Sequence, residues 1–464
     1  MLTGVTARRR PGCAAAVCLS VGAWAIVASR AVAADDDHGQ APPAPVDAEP
    51  RGGVFDALLG GSWSSKGSLG VESRAFRNDG DARTADQALG FLGRLEVRHA
   101  HHGPVEEKAR AYGRLDHFDQ RRTVLVPEEA WIQARGARVR LRAGVDVVNW
   151  TATEAFHPAD VINARNLDSD LENLEKLGEP MVELQVRPFE GSTIDLFFMP
   201  YFTSPRFTSP ASRLSFVPPD FAITGRRLLG RDGTVVETTF GAQAAIQIRQ
   251  VIGSADITVH AVHHMDRSQP QVLPDPGGRP FVLFQTVIQV GGTYQQALGP
   301  IVAKVEAAAR RFVAPSPERE PTLASIVPDR DHAIVAAGVE YGIAHTSGSE
   351  STFVVEGQAI FGADGAKPEI RRGLSPFQRD LLVGWRFAAN DAQGREVFLG
   401  AIADLETWEE ALVNVSYQQR LGETWVVAAG LRLFEAPATT GPPDASFSGL
   451  RRADHVRLTL TRHF

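Results

Sequence analysis

Arginines at even spacing are the residues of this sequence best placed to do chemistry. Arg94 and Arg98, Arg110 and Arg114, and Arg138, Arg140 and Arg142 fall two or four positions apart, which puts each set on one face of an extended strand. An acidic run follows at Asp168, Asp170, Glu172 and Glu175, interleaved with Leu167, Leu171, Leu174 and Leu177 at i, i+4, i+7 and i+10. The leucine spacing predicts a short helix with an apolar face and carboxylates on its other faces. Set across a narrow aqueous passage, the arginines on one wall and these acids, with Asp160 upstream, would create a transverse field that orients dipolar solutes. The plainer alternative is that the charges solvate the wall and pair with one another.

Catalytic and metal chemistry find less support. His260 and His264 would share a strand face about 13 Å apart while His263 points the other way, so the row alone cannot chelate one ion. His99, His101 and His102 meet a milder form of the same obstacle. His157 and His332 have no serine partner by spacing, and neither a His-Glu-x-x-His helix, a Walker loop nor a Gly-x-Ser-x-Gly elbow occurs. The acidic run lacks the central glycine of an EF-hand loop. The sequence therefore predicts no enzyme, no cofactor and no metal site.

The elements that must position the charges are legible from composition and periodicity. The chain has 464 residues, 43% hydrophobic and 22% charged, too apolar for a disordered chain. Arg8, Arg9 and Arg10 precede an apolar run from Ala14 to Ala28, and Ala31-Val32-Ala33 offers a cleavage site, so residues 1–33 read as a signal peptide. Both cysteines, Cys13 and Cys18, fall inside it, which leaves the mature chain of 431 residues with none. Cleavage also removes four arginines and no acid, leaving 44 basic against 55 acidic residues and a net charge of −11. No basic footprint for nucleic acid remains. Residues 34–60, rich in Asp and Pro, read as a flexible periplasmic lead-in.

From residue 61 to 464 apolar and polar positions alternate in segments of about ten residues. Strands are predicted at 67–77, 89–101, 105–116, 127–136, 137–148, 179–189, 191–202, 237–250, 254–265, 280–296, 299–313, 331–345, 350–362, 376–389, 395–406, 408–420, 423–435 and 453–464. One face is steadily apolar, as in Val139, Leu141, Ala143, Val145 and Val147, or Trp425, Val427, Ala429, Leu431 and Leu433. Long loops, including 149–178 and 203–236, alternate with tight links such as Gly103-Pro104 and Ile252-Gly253. No segment beyond the signal has the 18 or so consecutive apolar residues of a membrane helix. The pattern is that of an all-β chain: a transmembrane antiparallel β-barrel of about 18 strands (16–18), with long external loops, short periplasmic turns and a polar interior.

On these residues, and on the C-terminal Phe464 that ends an alternating strand, the chain resembles Gram-negative outer-membrane porins over essentially its whole mature length. The segment Glu154-Ala155-Phe156-His157-Pro158-Ala159-Asp160-Val161-Ile162-Asn163 also resembles a Pro-x-Asp-x-x-Asn loop of uncharacterised porin-like proteins. The resemblance implies an outer-membrane location among lipid and lipopolysaccharide, and Phe464 as the signal read by the barrel-assembly machinery. It implies passive diffusion of small hydrophilic solutes, with loop 149–178 folded inward to narrow the pore. It also implies homotrimers, for which the small-residue face of Ala333, Val335, Ala337 and Val339 offers a flat contact. A barrel occluded by its loops, acting in surface binding or as a structural protein, is the alternative.

Overall fold

In the hydrocarbon interior of a bilayer no water is present to bond a free N–H or C=O, so an extended chain can cross it only as a closed sheet. The computed structural model describes residues 17–18, 60–77, 84–167, 175–209, 212–215, 223, 225–268, 270–327, 329–362, 371, 374–375, 377–437 and 447–464. Among the described residues, eighteen antiparallel strands form such a sheet. They are β1 (Gly61–Phe76), β2 (Gln87–His101), β3 (Val105–Asp116), β4 (Val124–Arg135), β5 (Val139–Asp146), β6 (Glu179–Val186), β7 (Ser192–Tyr201), β8 (Phe240–Ile252) and β9 (Ala255–Met265). The second half comprises β10 (Pro280–Leu298), β11 (Ile301–Phe312), β12 (His332–Ala344), β13 (Glu350–Gly362), β14 (Arg379–Ala388), β15 (Glu396–Asp404), β16 (Ala411–Leu421), β17 (Trp425–Glu435) and β18 (His455–His463).

Each strand pairs with its neighbours in sequence, and β1 pairs with β18 from Ser68 opposite His463 to Phe76 opposite His455, which closes the barrel. Every predicted strand overlaps an observed one, and the bounds differ by a few residues. Connections alternate as expected. Gly253 and Gly299, both at φ near 60°, shape two-residue turns at one end, while 147–178, 202–239 and 436–454 lie at the other. Beyond the barrel at the long-loop end, β10 continues outward. There it pairs with Gln271–Pro274 and, in parallel, with Arg226–Leu229. Val17–Cys18 bridges Val272 and Gln271, and the rest of the expected signal peptide lies outside the described residues, as does 34–59 of the lead-in.

Side-chain polarity is inverted relative to a water-soluble protein. Phe91, Leu125, Leu141, Phe240, Val383 and Leu458 are exposed on the outer face, whereas Glu72, Arg114, Glu183, Gln243, Glu306 and Glu356 are buried within. An apolar exterior of this kind belongs in lipid. One expected boundary moves: β5 begins at Val139, so Arg138 lies in the preceding turn, exposed, where its carbonyl accepts a bond from the Arg187 N–H.

The seam closes on the last residue. Gly67 and Phe464 exchange backbone hydrogen bonds of 2.9 and 3.0 Å, and a Cβ placed on Gly67 would lie 2.7 Å from the Phe464 ring. The glycine is therefore the space the terminal aromatic occupies. Deleting Phe464 is expected to abolish the folded, heat-modifiable gel band in outer-membrane fractions, and Gly67→Val is expected to lower its yield severalfold. Normal yield of the truncated chain would dissociate Phe464 from assembly.

Candidate functional site

The inner faces of β2, β3 and β5 carry the arginines that the sequence singles out, Arg138 excepted, and each of these charges meets an acid or an acceptor. Arg94 donates to Glu128 Oε1 at 2.8 Å and lies over the Tyr112 ring. Arg98 pairs with Glu106. Arg110 contacts three carboxylates, Glu129 at 2.6 Å, Glu128 at 3.1 Å and Glu96 at 3.7 Å. Lys108 joins the same group through Glu129 at 2.9 Å and Glu96 at 3.3 Å. Arg114 is buried and donates to Tyr112 Oη at 3.2 Å. Arg140 holds Glu183 at 2.5 Å, and Arg142 holds Asp146 at 2.5 Å while donating to Gln133 and stacking 4.2 Å from the Trp131 ring.

This density of acids has a local cause that alternation could not reveal. Between Arg110 and Ala111 the β3–β4 ladder slips, so that Glu129 faces Arg110 and Pro127 faces Ala111. Glu128 is the extra residue of this bulge, and both it and Glu129 are buried on the lumen side. Two successive carboxylates thus point inward beneath Arg94 and Arg110. The wall is a network of matched ions rather than an uncompensated row of arginines. Strand pairing of this kind, not spacing within one strand, also brings in Glu183, which sequence reasoning missed.

Loop 147–178 is held by buried carboxylates on strands six to eight places around the barrel from β5. Glu306 of β11 accepts the N–H groups of Ala152 at 2.5 Å, Thr153 at 2.9 Å and Ala159 at 3.3 Å, together with the Thr153 hydroxyl at 2.7 Å. Glu356 of β13 accepts those of Glu154, Ala155 and Phe156 at 2.6 to 2.9 Å. Arg386 of β14 pairs with Glu154, and the Pro158 carbonyl accepts from Gln289 and Arg310. Hydrogen bonds to a charged acceptor contribute about 1.5–3 kcal/mol each, so the two glutamates are strong anchors. Neither glutamate stood out in the sequence, since a lone inward acid on a strand carries no spacing signal.

The Pro-x-Asp-x-x-Asn segment has a physical role for each named residue. Asn163 donates to the carbonyls of Asp146 and Leu177 and accepts from the Val148 N–H, tying the start of the loop to its end. Asp160 is buried between Arg165 and Lys176, with the Lys176 ammonium at 2.8 Å. Burial opposes its ionisation, but Lys176 and Arg165 outweigh that and hold its carboxyl down to about 2. Burial pushes Lys176 down to about 8 against the pull of Asp160. Glu175 is raised above the usual carboxylate range by burial, opposed by Arg114 and Arg94.

The expected leucine helix is corrected at both ends. Arg165 and Lys176 form an antiparallel bridge, and the Leu177 N–H donates to Ala164, so Leu167 and Leu177 flank a hairpin stem. Asp168, Asp170, Leu171, Glu172 and Leu174 lie outside the described residues. Of the acids expected to face the arginines, Asp160 pairs with Arg165 and Lys176 of its own loop, and Glu175 lies near Arg94 and Arg114.

Two features fill the remaining space. A buried apolar cluster unites Phe156 and Leu167 of this loop with Leu214, Phe377, Phe398, Phe434 and Leu450. Beside it lies a small pocket lined by Asp160, Arg165, Arg267 and Arg310 together with Ile334 and Phe377.

No protein-family model matches the chain, and no curated protein does. Solved structures do. OccK2 (OpdF) of Pseudomonas aeruginosa superposes with a TM-score of 0.51 at 11% identity, covering 87% of this chain and 97% of that one. OccK11 (OpdR) of the same organism gives 0.50 at 9% identity, covering 87% and 96%. A mutant of the Rh. blastica porin gives 0.39 at 12% identity over 87% and 100%. At such identities the likeness speaks to architecture, and with the strand count and closure above it makes this chain an eighteen-stranded barrel of the outer-membrane porin fold.

Proposed function

We propose that the protein is an outer-membrane channel for passive diffusion of small hydrophilic solutes, narrowed by loop 147–178. The observation that carries this reading is the pairing of a polar, ion-lined interior with a loop fastened by Glu306 and Glu356 to the wall far from its own strands. A loop that leaves β5, bonds to inward-facing side chains of β11 and β13 and returns to β6 spans the lumen. Arg94, Arg98, Arg110, Arg114, Arg140 and Arg142 line the passage with their acids, and Arg138 marks its short-turn end. Asp160 and Glu175 serve the constriction by holding the loop's own structure. In this reading the signal peptide delivers the chain to the periplasm and Phe464 presents it to the assembly machinery. The outward face of Ala333, Val335, Ala337 and Val339 packs against further copies, with lipid and lipopolysaccharide around the rest.

The apolar cluster of four loops favours a second reading, a barrel closed to solutes that acts at the surface. Planar-bilayer recording separates the two: discrete open steps support the channel and a silent barrel the second reading. In the channel reading, removing residues 164–177 is expected to raise single-channel conductance, because the narrowest section sets the resistance. Unchanged conductance would take the loop out of the conducting path.

Ion preference follows from the β2–β4 network. Arg110→Ala leaves Glu96, Glu128 and Glu129 with Lys66, Lys108 and Arg94 as their cations, so the reversal potential in a KCl gradient is expected to move towards cations by several millivolts. A reversal potential that stays put would mean that solutes do not pass this wall.

The loop also predicts an acid response. Because the folded pKa of Asp160, about 2, lies below its ordinary 3.8, its contribution to holding the loop is complete above about pH 4 and is lost as pH falls through 2. Conductance is expected to be steady from pH 7 to 4 and to become noisy or larger between 4 and 2. Asp160→Asn should show the loosened behaviour already at pH 7, and an acid profile identical to the parent would remove Asp160 from the loop's support.

A further inference from the structure

On the outer surface at the short-turn end, three potential metal ligands converge from two adjacent strands. His99 and His101 lie two residues apart on β2, and Glu107 of β3 is the register partner of His99. One ligand atom from each lies within 4.8 Å of the others. The three share the outward alternation, since Phe91 and Leu95 on β2 and Leu115 on β3 occupy the same face and are exposed.

We propose that His99, His101 and Glu107 bind a divalent transition-metal ion, zinc in the first instance. The two imidazoles do not behave as ordinary rim residues. The Nε2 atoms of both are buried and have no hydrogen-bond partner among the described residues, which in a finished structure calls for an explanation. The His101 Nε2 stands 3.3 Å from Glu107 Oε1 in a geometry that makes no hydrogen bond, the separation of two ligand atoms rather than of a donor and its acceptor. The rings are close, with centroids 4.0 Å apart at 55°. Trp63 of β1, directly opposite His99 in register, stacks on it at 4.0 Å and 5°, fixing the orientation of that imidazole.

Chemistry and geometry agree on the class of ion. Two imidazoles and a carboxylate form a donor set suited to zinc, copper or nickel rather than to calcium or magnesium. Zinc bonds of about 2.0–2.2 Å at tetrahedral angles put neighbouring ligand atoms about 3.3 Å apart. The His101–Glu107 pair already has that separation, and the ligand atom of His99 lies within 4.8 Å of both. Three protein ligands leave the fourth position to water or to an incoming group. Glu107, whose side chain is 45% exposed, provides the way in. Within one strand the histidine row offers only two ligands on a face, and the third comes from cross-strand register.

The test uses the full folded barrel, purified in detergent and stripped with a chelator, titrated calorimetrically with zinc chloride. One equivalent of zinc is expected to bind, and cobalt(II) in its place is expected to give the intense visible absorption of a four-coordinate site. His101→Ala and Glu107→Gln should each weaken zinc binding at least tenfold. His99→Phe keeps a ring against Trp63 while removing the nitrogens, and should do the same with the heat-modifiable gel band unchanged. His102→Ala, in the exposed turn, should bind as the parent does. Absence of stoichiometric binding, or binding that survives His99→Phe combined with His101→Ala, would overturn the site. Because the readout is zinc binding and not conductance, its failure leaves the channel reading untouched, and a silent barrel leaves the metal site untouched.

Discussion

Backbone hydrogen bonding without water is the constraint from which this structure follows. Each strand must spend its N–H and C=O groups on its neighbours, and the two terminal strands must spend theirs on each other, as β1 and β18 do from Ser68 to Phe76. Closure in turn creates two surfaces in different solvents, lipid outside and a protein-lined interior within. Alternation along each strand sorts the residues between them, which is why Leu141 is exposed and its neighbour Arg142 is held by Asp146 and Gln133. What would be a core defect in a soluble protein, the buried Glu306, becomes an anchor here because unpaired loop N–H groups are available to it.

The interior charges then follow their own logic. A charge taken out of water is costly unless it is paired, and removing one partner of a buried pair costs more than the pair itself contributes. The β2–β4 wall meets that demand collectively: Glu96, Glu128 and Glu129 share Lys108, Arg94 and Arg110. The bulge at Glu128 keeps both consecutive glutamates in this network, since regular pleating would send one of them into lipid, and Lys66 adds a fourth cation 3.4 Å from Glu96. Pairing also lowers the net field such a wall projects, so the field depends on where partly exposed groups such as Arg94 and Arg98 stand, not on the total of arginines.

The strands were legible because each is long, amphipathic and of period two, and because loop length alternates with turn length around the barrel. Legibility stopped where a contact depends on register between strands or on the path of a loop. Arg138 was placed on a strand because Arg140 and Arg142 continue its spacing, yet the turn reaches as far as Arg138 and the ladder begins at Val139. The leucines at 167 and 177 match a helical period, but the bridge of Arg165 to Lys176 shows that hairpin pairing prevails at the ends of that segment. Glu306, Glu356 and Glu107 carried no signal at all, since what makes each of them matter arrives from another part of the chain.

The loop cluster and the pocket beside it are two consequences of one geometry. Eighteen strands enclose a lumen wider than side chains alone can fill, which leaves room for loop residues to pack among themselves. Loop 147–178 enters with one apolar edge and one polar edge. Phe156 and Leu167 join the aromatic and aliphatic residues of other loops, while Asp160 and Arg165 border the pocket with Arg267 and Arg310. The apolar edge gives the loop a fixed seat by burying surface that would otherwise face water, and this seat is what lets the polar edge hold a defined position.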